Sequence, residues 1–280
     1  MQNVYFVLEC LKNLGLKYKM KKVLFLFLLA ISFFKGFLNA SSLYERLINK
    51  ETISVGTEGI YPPFTYHNKE GKLTGYDVEV ARELAKELGV KIKFHETSWD
   101  IMLTGLKSGR FDMVANQVSL TTKKRQAAFD KSLPYSYSGT IMLVRKDENR
   151  IKDIKDIKDI KGLRAANTLS STYGEIASKY DAQIVSVDSM AQALLLVAQK
   201  RADLTLNSSL AILNYLNTHK NNPFKIAWES KEKDGGASFV INKRQEKALE
   251  LINQAMQRLI DKGVLKRLSE QFFGKDVSQP

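Results

Sequence analysis

The clearest chemical signal in the sequence is a polar turn, NTLSSTYGE at residues 167–175, that leads into a predicted helix. Thr168, Ser171 and Thr172 supply hydroxyl groups within it. The first turn of a helix carries backbone N–H groups that have no partner inside the helix, and these groups attract anions. The same pattern is that of an ordinary helix N-cap, and both interpretations can hold at once.

Residue types that serve hydrolysis or metal binding are scarce and scattered. The sequence lacks the GxSxG and HExxH motifs of serine and zinc hydrolases. Its single cysteine is Cys10, and its three histidines, His67, His95 and His219, stand without the spacing of metal ligands. We therefore predict no catalytic residue, no metal site and no cofactor.

The chain of 280 residues is basic, with a formal net charge of +13. Its lysines and arginines are scattered among acids and form no stripe with interleaved aromatic residues, which argues against nucleic-acid binding. A solvated basic surface that steers an anionic ligand or partner is the simpler interpretation.

The first 40 residues have the composition of an export signal. A second methionine, Met20, and two lysines precede the apolar run VLFLFLLAISFF, and Ala40 lies at a plausible cleavage point. The run is short for a membrane span, which takes about 20 residues, so an uncleaved anchor is the less favoured alternative. We predict translation from Met20, cleavage after Ala40 and a mature periplasmic protein without a lipid anchor.

The rest of the chain alternates between strand and helix patterns. Between residues 53 and 116 the order is strand, helix, strand, helix, strand, which predicts a parallel sheet flanked by helices. A second unit of the same kind follows between residues 163 and 228. Two connections, at residues 139–148 and 229–241, join the units, so the last two helices can return to the first unit.

This pattern predicts an α/β fold of two lobes, each a sheet flanked by helices, with two hinge strands between them. We assign residues 41–140 and 237–280 to the first lobe and residues 145–230 to the second. Residues 1–40 remain as an N-terminal extension and signal peptide. Clefts between such lobes are where ligand sites concentrate.

Three segments carry a resemblance to a known family: GTEGIYPPFTYHNKEGKLTGYDVEVARELAKELG, SWDIMLTGLKSGRFDMVANQVSLTTKKR and FDKSLPYSYSG. They resemble the periplasmic amino-acid-binding proteins of ABC importers, of the solute-binding protein family 3 type. The similarity extends from about residue 51 to residue 276, and GTEG, YPPF and ANQVS look closest to the cystine-binding branch. The resemblance implies two lobes that close on cystine or cysteine, or on another polar amino acid, and deliver it to a membrane permease.

By this resemblance, Arg125 occupies the position of the clamp for the ligand carboxylate. An arginine suits that role because its planar fork donates two charge-assisted hydrogen bonds. The loop VSLTTKKRQ is one residue longer than the common version, so Lys124 is the alternative. Ser119 matches a position whose hydroxyl or backbone helps to hold the ligand.

Further positions are implied to line the cleft. Tyr61, Phe64 and Trp99 match aromatic positions of the family, although an isolated aromatic residue is more often part of a core. Glu58 matches an acid that can contact the ligand side chain. The turn that contains Thr168, introduced above, faces the same cleft in the family.

One position departs from the family pattern. Relatives commonly end the corresponding strand of the second lobe with Asn-Asp, and that aspartate takes the ligand ammonium, whereas this chain has Asn207-Ser208. Serine is neutral and cannot supply the charge. Either Glu58 or Asp100 compensates, or the ammonium is bound more weakly, or the ligand is not a standard α-amino acid.

Two other functions are compatible with this fold. One is an enzyme resembling the cyclohexadienyl dehydratases, which need a general acid–base pair at the cleft. The other is a surface adhesin or sensory module that has kept the fold. We expect a monomeric binding protein without enzymatic activity, whose partners are a small amino acid and an ABC permease.

Overall fold

The structure, a computed structural model, describes residues 42–151 and 156–280. The predicted signal sequence and the start at Met20 lie outside these residues and stay predictions. Across the described part of the chain, no helix combines the length and the apolar character that crossing a membrane requires.

Helices and strands alternate along the chain, as the hydrophobic pattern predicts. The first half contains α1 (Leu43–Ile48), β1 (Thr52–Thr57), β2 (Ile60–Tyr61), β3 (Thr65–His67), β4 (Leu73–Thr74), α2 (Tyr76–Leu88), β5 (Lys91–Glu96), α3 (Trp99–Lys107), β6 (Met113–Val114), α4 (Lys123–Ala128), β7 (Phe129–Lys131) and β8 (Thr140–Arg145). The second half contains a 3-10 turn (Ile157–Ile160), β9 (Arg164–Asn167), α5 (Thr172–Lys179), β10 (Gln183–Ser186), α6 (Met190–Ala198), β11 (Leu204–Ser208), α7 (Ser209–Thr218), β12 (Phe224–Glu229), β13 (Val240–Asn242), α8 (Glu246–Asp261) and α9 (Val264–Phe273).

The first lobe is built on a five-stranded sheet in the order β5-β1-β6-β13-β7. Strand β1 pairs in parallel with β5 and with β6, which confirms the parallel unit that the sequence predicts. Strand β13 returns from the far end of the chain and pairs antiparallel with β6 and β7. Ile53 and Val55 of β1 are buried, because covering apolar surface on the inner face of the sheet is favourable.

The second lobe contains a five-stranded sheet in the order β10-β9-β11-β8-β12. Strand β9 pairs in parallel with β10 and β11, while β8 pairs antiparallel with β11 and β12. Residues 139–148, predicted to be a connection, therefore contain a central strand of this sheet. Ile141, Met142, Leu143 and Val144 are all buried, which is the pattern of a strand covered on both faces.

The C-terminal helices return to the first lobe, as the sequence predicts. Helices α8 and α9 lie against α2. Ile252 and Met256 of α8 share one apolar core with Val80 and Leu84 of α2. This packing follows from apolar residues three and four positions apart, which form a stripe along one face of each helix.

Two extended segments, residues 132–139 and 230–239, cross between the lobes and pair with each other. We call them the hinge segments. The N–H group of Asp234 donates to the carbonyl oxygen of Ser138 at 2.8 Å, and an antiparallel bridge lies a few residues further along. The two predicted hinge strands are therefore present, although the first one precedes β8. The lobe boundaries themselves stay a prediction.

Candidate functional site

A cavity of about 500 Å³ lies between the two lobes. Eight of the ten binding residues predicted from the sequence line it. They come from both lobes and are Glu58, Tyr61, Trp99, Ser119, Thr168, Ser171, Thr172 and Asn207. The two predicted residues outside this lining are Arg125 and Ser208.

Arg125 is buried behind the lining and bridges the two lobes. Helix α4 carries it in its first turn, where the Thr122 hydroxyl caps the helix by accepting the Arg125 N–H at 3.3 Å. The guanidinium donates to the carbonyl oxygen of Ser119, in the first lobe, at 3.2 Å. It also donates to the hydroxyl of Thr172 at 3.0 Å and to the carbonyl oxygen of Ser170, both in the second lobe. Its donors therefore have partners on both sides of the cleft.

The charge of Arg125 is balanced by its surroundings. Glu175 of α5 lies 3.4 Å away, and the Trp99 ring centroid lies 5.9 Å from the guanidinium carbon, within cation–π range. Burial lowers the pKa of Arg125, and the charge of Glu175 opposes that shift. A buried guanidinium of this kind gains most from a partner that supplies both negative charge and two acceptor oxygens.

The alternative clamp, Lys124, is exposed, whereas the side chain of Arg125 is only 6% exposed. Consecutive residues of a helix point about 100° apart, since one turn contains 3.6 residues. Only one of the two cations can therefore point inward, and Arg125 is the one buried between the lobes, while Lys124 is exposed.

A buried aspartate supports the loop that follows β6. Asp77, in the first turn of α2, accepts hydrogen bonds from the backbone N–H of Gln117 at 2.5 Å and from its side-chain amide at 2.7 Å. The hydroxyl of Tyr135 donates to the same carboxylate at 2.9 Å. Gln117 has a φ of 51°, a conformation that few residues other than glycine adopt. These contacts fix the turn that carries Ser119 to the cavity.

The polar turn at residues 167–175 enters helix α5, and Ser171 is its N-cap. The Ser171 hydroxyl accepts the N–H of Gly174 at 3.0 Å, so the capping interpretation is confirmed. The N–H groups of Thr172 and Tyr173, at the start of the helix, have no partner within it. Both residues line the cavity, a position that suits anion binding.

Two side-chain hydrogen bonds cross the cleft beside the Arg125 bridge. The hydroxyl of Tyr61 donates to Oδ1 of Asn207 at 2.6 Å. The hydroxyl of Ser170 donates to Oδ1 of Asp100, also at 2.6 Å. Together with Arg125 they join the lobes in a closed arrangement.

Ser208, predicted to contact a ligand, does not line the cavity. It is 1% exposed, and its hydroxyl lies 2.6 Å from that of Ser138 on the first hinge segment. The reason is the alternation of a strand, in which successive side chains point to opposite faces. Asn207 therefore faces the cleft, while Ser208 turns towards the hinge.

Phe64 is a core residue instead of a cleft residue. It is fully buried, and its ring centroid lies 5.1 Å from that of Tyr61 and 5.8 Å from that of Phe273. Sequence reasoning also missed other polar residues of the lining, among them Asn116, Gln117, Tyr173 and Asp234. Asn116 and Gln117 precede the predicted site residue Ser119, and Tyr173 directly follows the predicted site residue Thr172. These neighbours could have indicated them. Asp234 lies in the second predicted connection and had no such signal.

The acidic residues of the cavity do not form a metal site. Among residues 42–151 and 156–280, no group of three or more His, Cys, Asp or Glu residues could hold a metal ion. Glu58 instead faces Asn116, whose side-chain amide donates to it at 2.6 Å. Burial raises the pKa of Glu58 to about 7, against the lowering effect of that hydrogen bond, and the charge of Asp100 adds to the rise.

One family model matches residues 53–275, and it describes the bacterial extracellular solute-binding proteins, family 3. The chain belongs to this family. The match includes the strands of both sheets, apart from Thr52, and all residues that line the cavity, and it confirms the resemblance drawn from the sequence.

Curated relatives of the solute-binding family agree with this assignment. The L-cystine-binding protein TcyA of Bacillus subtilis is 43% identical over 238 residues, which is 85% of this chain and 87% of TcyA. A probable amino-acid ABC transporter-binding protein of Haemophilus influenzae is 39% identical over 263 residues, which is 93% of this chain and 100% of that protein.

A solved structure provides an open counterpart. The L-cystine solute receptor of Neisseria gonorrhoeae in its unliganded open conformation is 53% identical, and the match covers 86% of this chain and 100% of that chain with a TM-score of 0.58. The contacts across the cleft agree with a closed arrangement in this protein.

The raised pKa of Glu58 predicts a pH-dependent stability. In the unfolded chain this carboxyl ionises near 4.5, and in the folded protein near 7. The contribution of Glu58 to the stability of the folded protein is therefore fully present below the pKa of the unfolded chain, and it is lost as the pH rises through the pKa of the folded protein. Urea unfolding of wild type and Glu58→Gln at pH 5 and pH 8 measures it. We expect the wild type to lose stability relative to the variant as the pH rises. If the difference in unfolding free energy between wild type and Glu58→Gln is the same at both pH values, this account of Glu58 is contradicted.

Proposed function

We propose that this protein captures an amino acid, with L-cystine or L-cysteine as the first candidate, in the cavity between its lobes and delivers it to an ABC importer. Two similar proteins named for cystine support that ligand. A relative named for an amino-acid ABC transporter supports the partner. Another polar amino acid is the alternative ligand.

The observation that carries this proposal is the position of Arg125 between the lobes. Its buried fork contacts Ser119 of the first lobe and Thr172 of the second. A ligand carboxylate that reaches the fork contacts both lobes at once, beside the N-terminus of α5. Binding there stabilises the closed arrangement over the open one, because only the closed arrangement brings both halves of the site together.

We further propose that the mature protein acts in the periplasm as a monomer, after export through its N-terminal signal. The extracellular character of the family supports this location. The hinge segments let each lobe keep its own sheet and core while the angle between them changes. A membrane permease can then distinguish the loaded, closed form from the open form.

Binding without turnover is part of the proposal. Glu58 is the feature that favours the enzymatic alternative, because a pKa of about 7 suits a general acid or base. Incubation of the purified protein with prephenate or arogenate separates the two functions. Intact substrate supports a binding protein, and conversion of either compound supports a dehydratase.

A thermal-shift screen of the amino acids, cystine included, tests the ligand. We expect L-cystine or L-cysteine to raise the melting temperature most. A ligand at 100 times its dissociation constant stabilises the folded state by about 2.7 kcal/mol. Native mass spectrometry of the freshly purified protein provides a second readout through co-purified ligand. If cystine and cysteine give no shift while another amino acid does, the cystine assignment is wrong.

Replacing the buried clamp should abolish tight binding. We expect Arg125→Ala to weaken amino-acid binding by about 3 kcal/mol, roughly a hundredfold or more, because the ligand carboxylate loses a desolvated, bidentate partner. Calorimetric titration with L-cystine measures the loss. Circular dichroism checks that the variant is folded.

Lys124→Ala is the matched control for this variant. It removes an exposed cation from the neighbouring position of the same helix, and a surface charge of this kind contributes about 0–1 kcal/mol. Binding should therefore stay close to that of the wild type. Loss of binding in Lys124→Ala with retention in Arg125→Ala would mean that the neighbouring lysine is the clamp.

A further inference from the structure

An amino acid brings an ammonium group as well as a carboxylate, and that ammonium needs an acidic partner in a buried site. Ser208 is neutral and faces the hinge. The cavity lining offers three carboxylates instead, from Glu58, Glu175 and Asp234. Their surroundings differ, and the difference singles out one of them.

Two of the three carboxylates are already engaged. Glu175 lies 3.4 Å from Arg125, so its negative charge is compensated by the guanidinium, although its Oε2 is buried without a hydrogen-bond partner in the described part of the chain. Glu58 accepts the side-chain amide of Asn116 at 2.6 Å, and with a pKa of about 7 it is only partly ionised at neutral pH. Neither provides a full negative charge that is free to meet a cation.

Asp234 has a different environment on the second hinge segment. It forms no ion pair with any cation in the described part of the chain. Burial raises its pKa, while the backbone hydrogen bonds and the more distant charge of Lys131 act against that shift. Backbone N–H groups of Gly236 and Ser138 donate to its Oδ1 at 3.0 Å and 3.4 Å. Within the described part of the chain both of these hydrogen bonds go to Oδ1 and none goes to Oδ2, and Asp234 lines the cavity. The two backbone contacts also fix the direction of the carboxylate.

The groups around Asp234 suit an ammonium. Burial is the main cause of the raised pKa of the Tyr61 and Tyr173 hydroxyls, and the negative charge of Asp234 adds to both shifts. Because the effect of a charge weakens with distance, both tyrosines lie near Asp234. Aromatic rings attract cations through their faces. Ser138 connects this carboxylate to the end of β11, since its N–H donates to Asp234 and its hydroxyl meets that of Ser208 at 2.6 Å.

We propose, on the basis of the amino-acid-binding function above, that Asp234 accepts the ligand ammonium, so that a hinge segment holds this group instead of the end of β11. The two charged ends of the ligand are then held by Arg125 on the first lobe and by Asp234 on the hinge. Thr172 contacts Arg125, and the next residue, Tyr173, lies near Asp234. The two anchors therefore flank the start of α5.

This assignment gives the free ammonium a share of the binding affinity that depends on Asp234, and it couples recognition of the ammonium to the hinge. Calorimetric titrations at pH 7.5 with L-cystine and with 3,3′-dithiodipropionic acid, which is cystine without its two amino groups, test it. We expect Asp234→Asn to weaken L-cystine binding roughly 10- to 100-fold, the effect of losing a charged hydrogen-bond partner. The affinity for dithiodipropionic acid should be the same in variant and wild type.

Two further variants separate charge from structure. Glu232→Gln removes an exposed acid from the same segment and should leave both titrations unchanged. Asp234→Glu keeps the charge and should bind L-cystine more tightly than Asp234→Asn does. Circular dichroism and melting temperatures of all variants check their folding.

Each contrary result has a distinct meaning. Equal losses for L-cystine and dithiodipropionic acid, or equal losses in Asp234→Glu and Asp234→Asn, would give Asp234 a structural role and overturn the inference. Full L-cystine affinity in Asp234→Asn, with a loss in Glu58→Gln or Glu175→Gln, would move the ammonium site to that acid. Absence of L-cystine binding by the wild type would contradict the proposed function itself.

Discussion

The cleft depends on one buried cation, Arg125. A guanidinium removed from water needs hydrogen-bond acceptors and negative charge around it, because an unpaired buried charge costs several kcal/mol. The first lobe supplies the carbonyl oxygen of Ser119, while the second supplies the hydroxyl of Thr172 and the carboxylate of Glu175. The coordination of Arg125 is complete only when the lobes meet. Closure of the cleft and the full coordination of this guanidinium are therefore the same physical event.

The fold allows the lobes to move without loss of their cores. Each lobe has its own five-stranded sheet, and most of the apolar contacts lie within one lobe. Some apolar contacts join them: Leu210 and Ala211, at the start of α7, belong to the core of the first lobe, and Met190 of α6 packs against it. Since the contact of Leu210 and Ala211 is buried close to the paired hinge segments, it places the pivot there. The hydrogen bond from Ser170 to Asp100 also crosses the cleft and has to break when the lobes separate.

Sequence reasoning gave much of this fold, because the parallel units depend on local patterns of apolar residues. Its errors concern features that are set by the three-dimensional arrangement of the strands and hinge segments. Strand β8 was predicted to be a connection, since its position in the sheet depends on partners more than fifty residues away. Ser208 was assigned to the cleft although strand alternation turns it towards Ser138. Asp234 was missed because only the pairing of the two hinge segments brings it to the cavity.

Small-angle X-ray scattering, with and without saturating L-cystine, tests the central claim most directly. The claim is that an amino acid closes the lobes by binding beside Arg125. The wild type should show a smaller radius of gyration when saturated, because hinge closure makes a two-lobed protein more compact. Arg125→Ala should keep the larger radius at the same ligand concentration. A wild-type radius that does not change, at a concentration where thermal shift demonstrates saturation, would contradict ligand-driven closure.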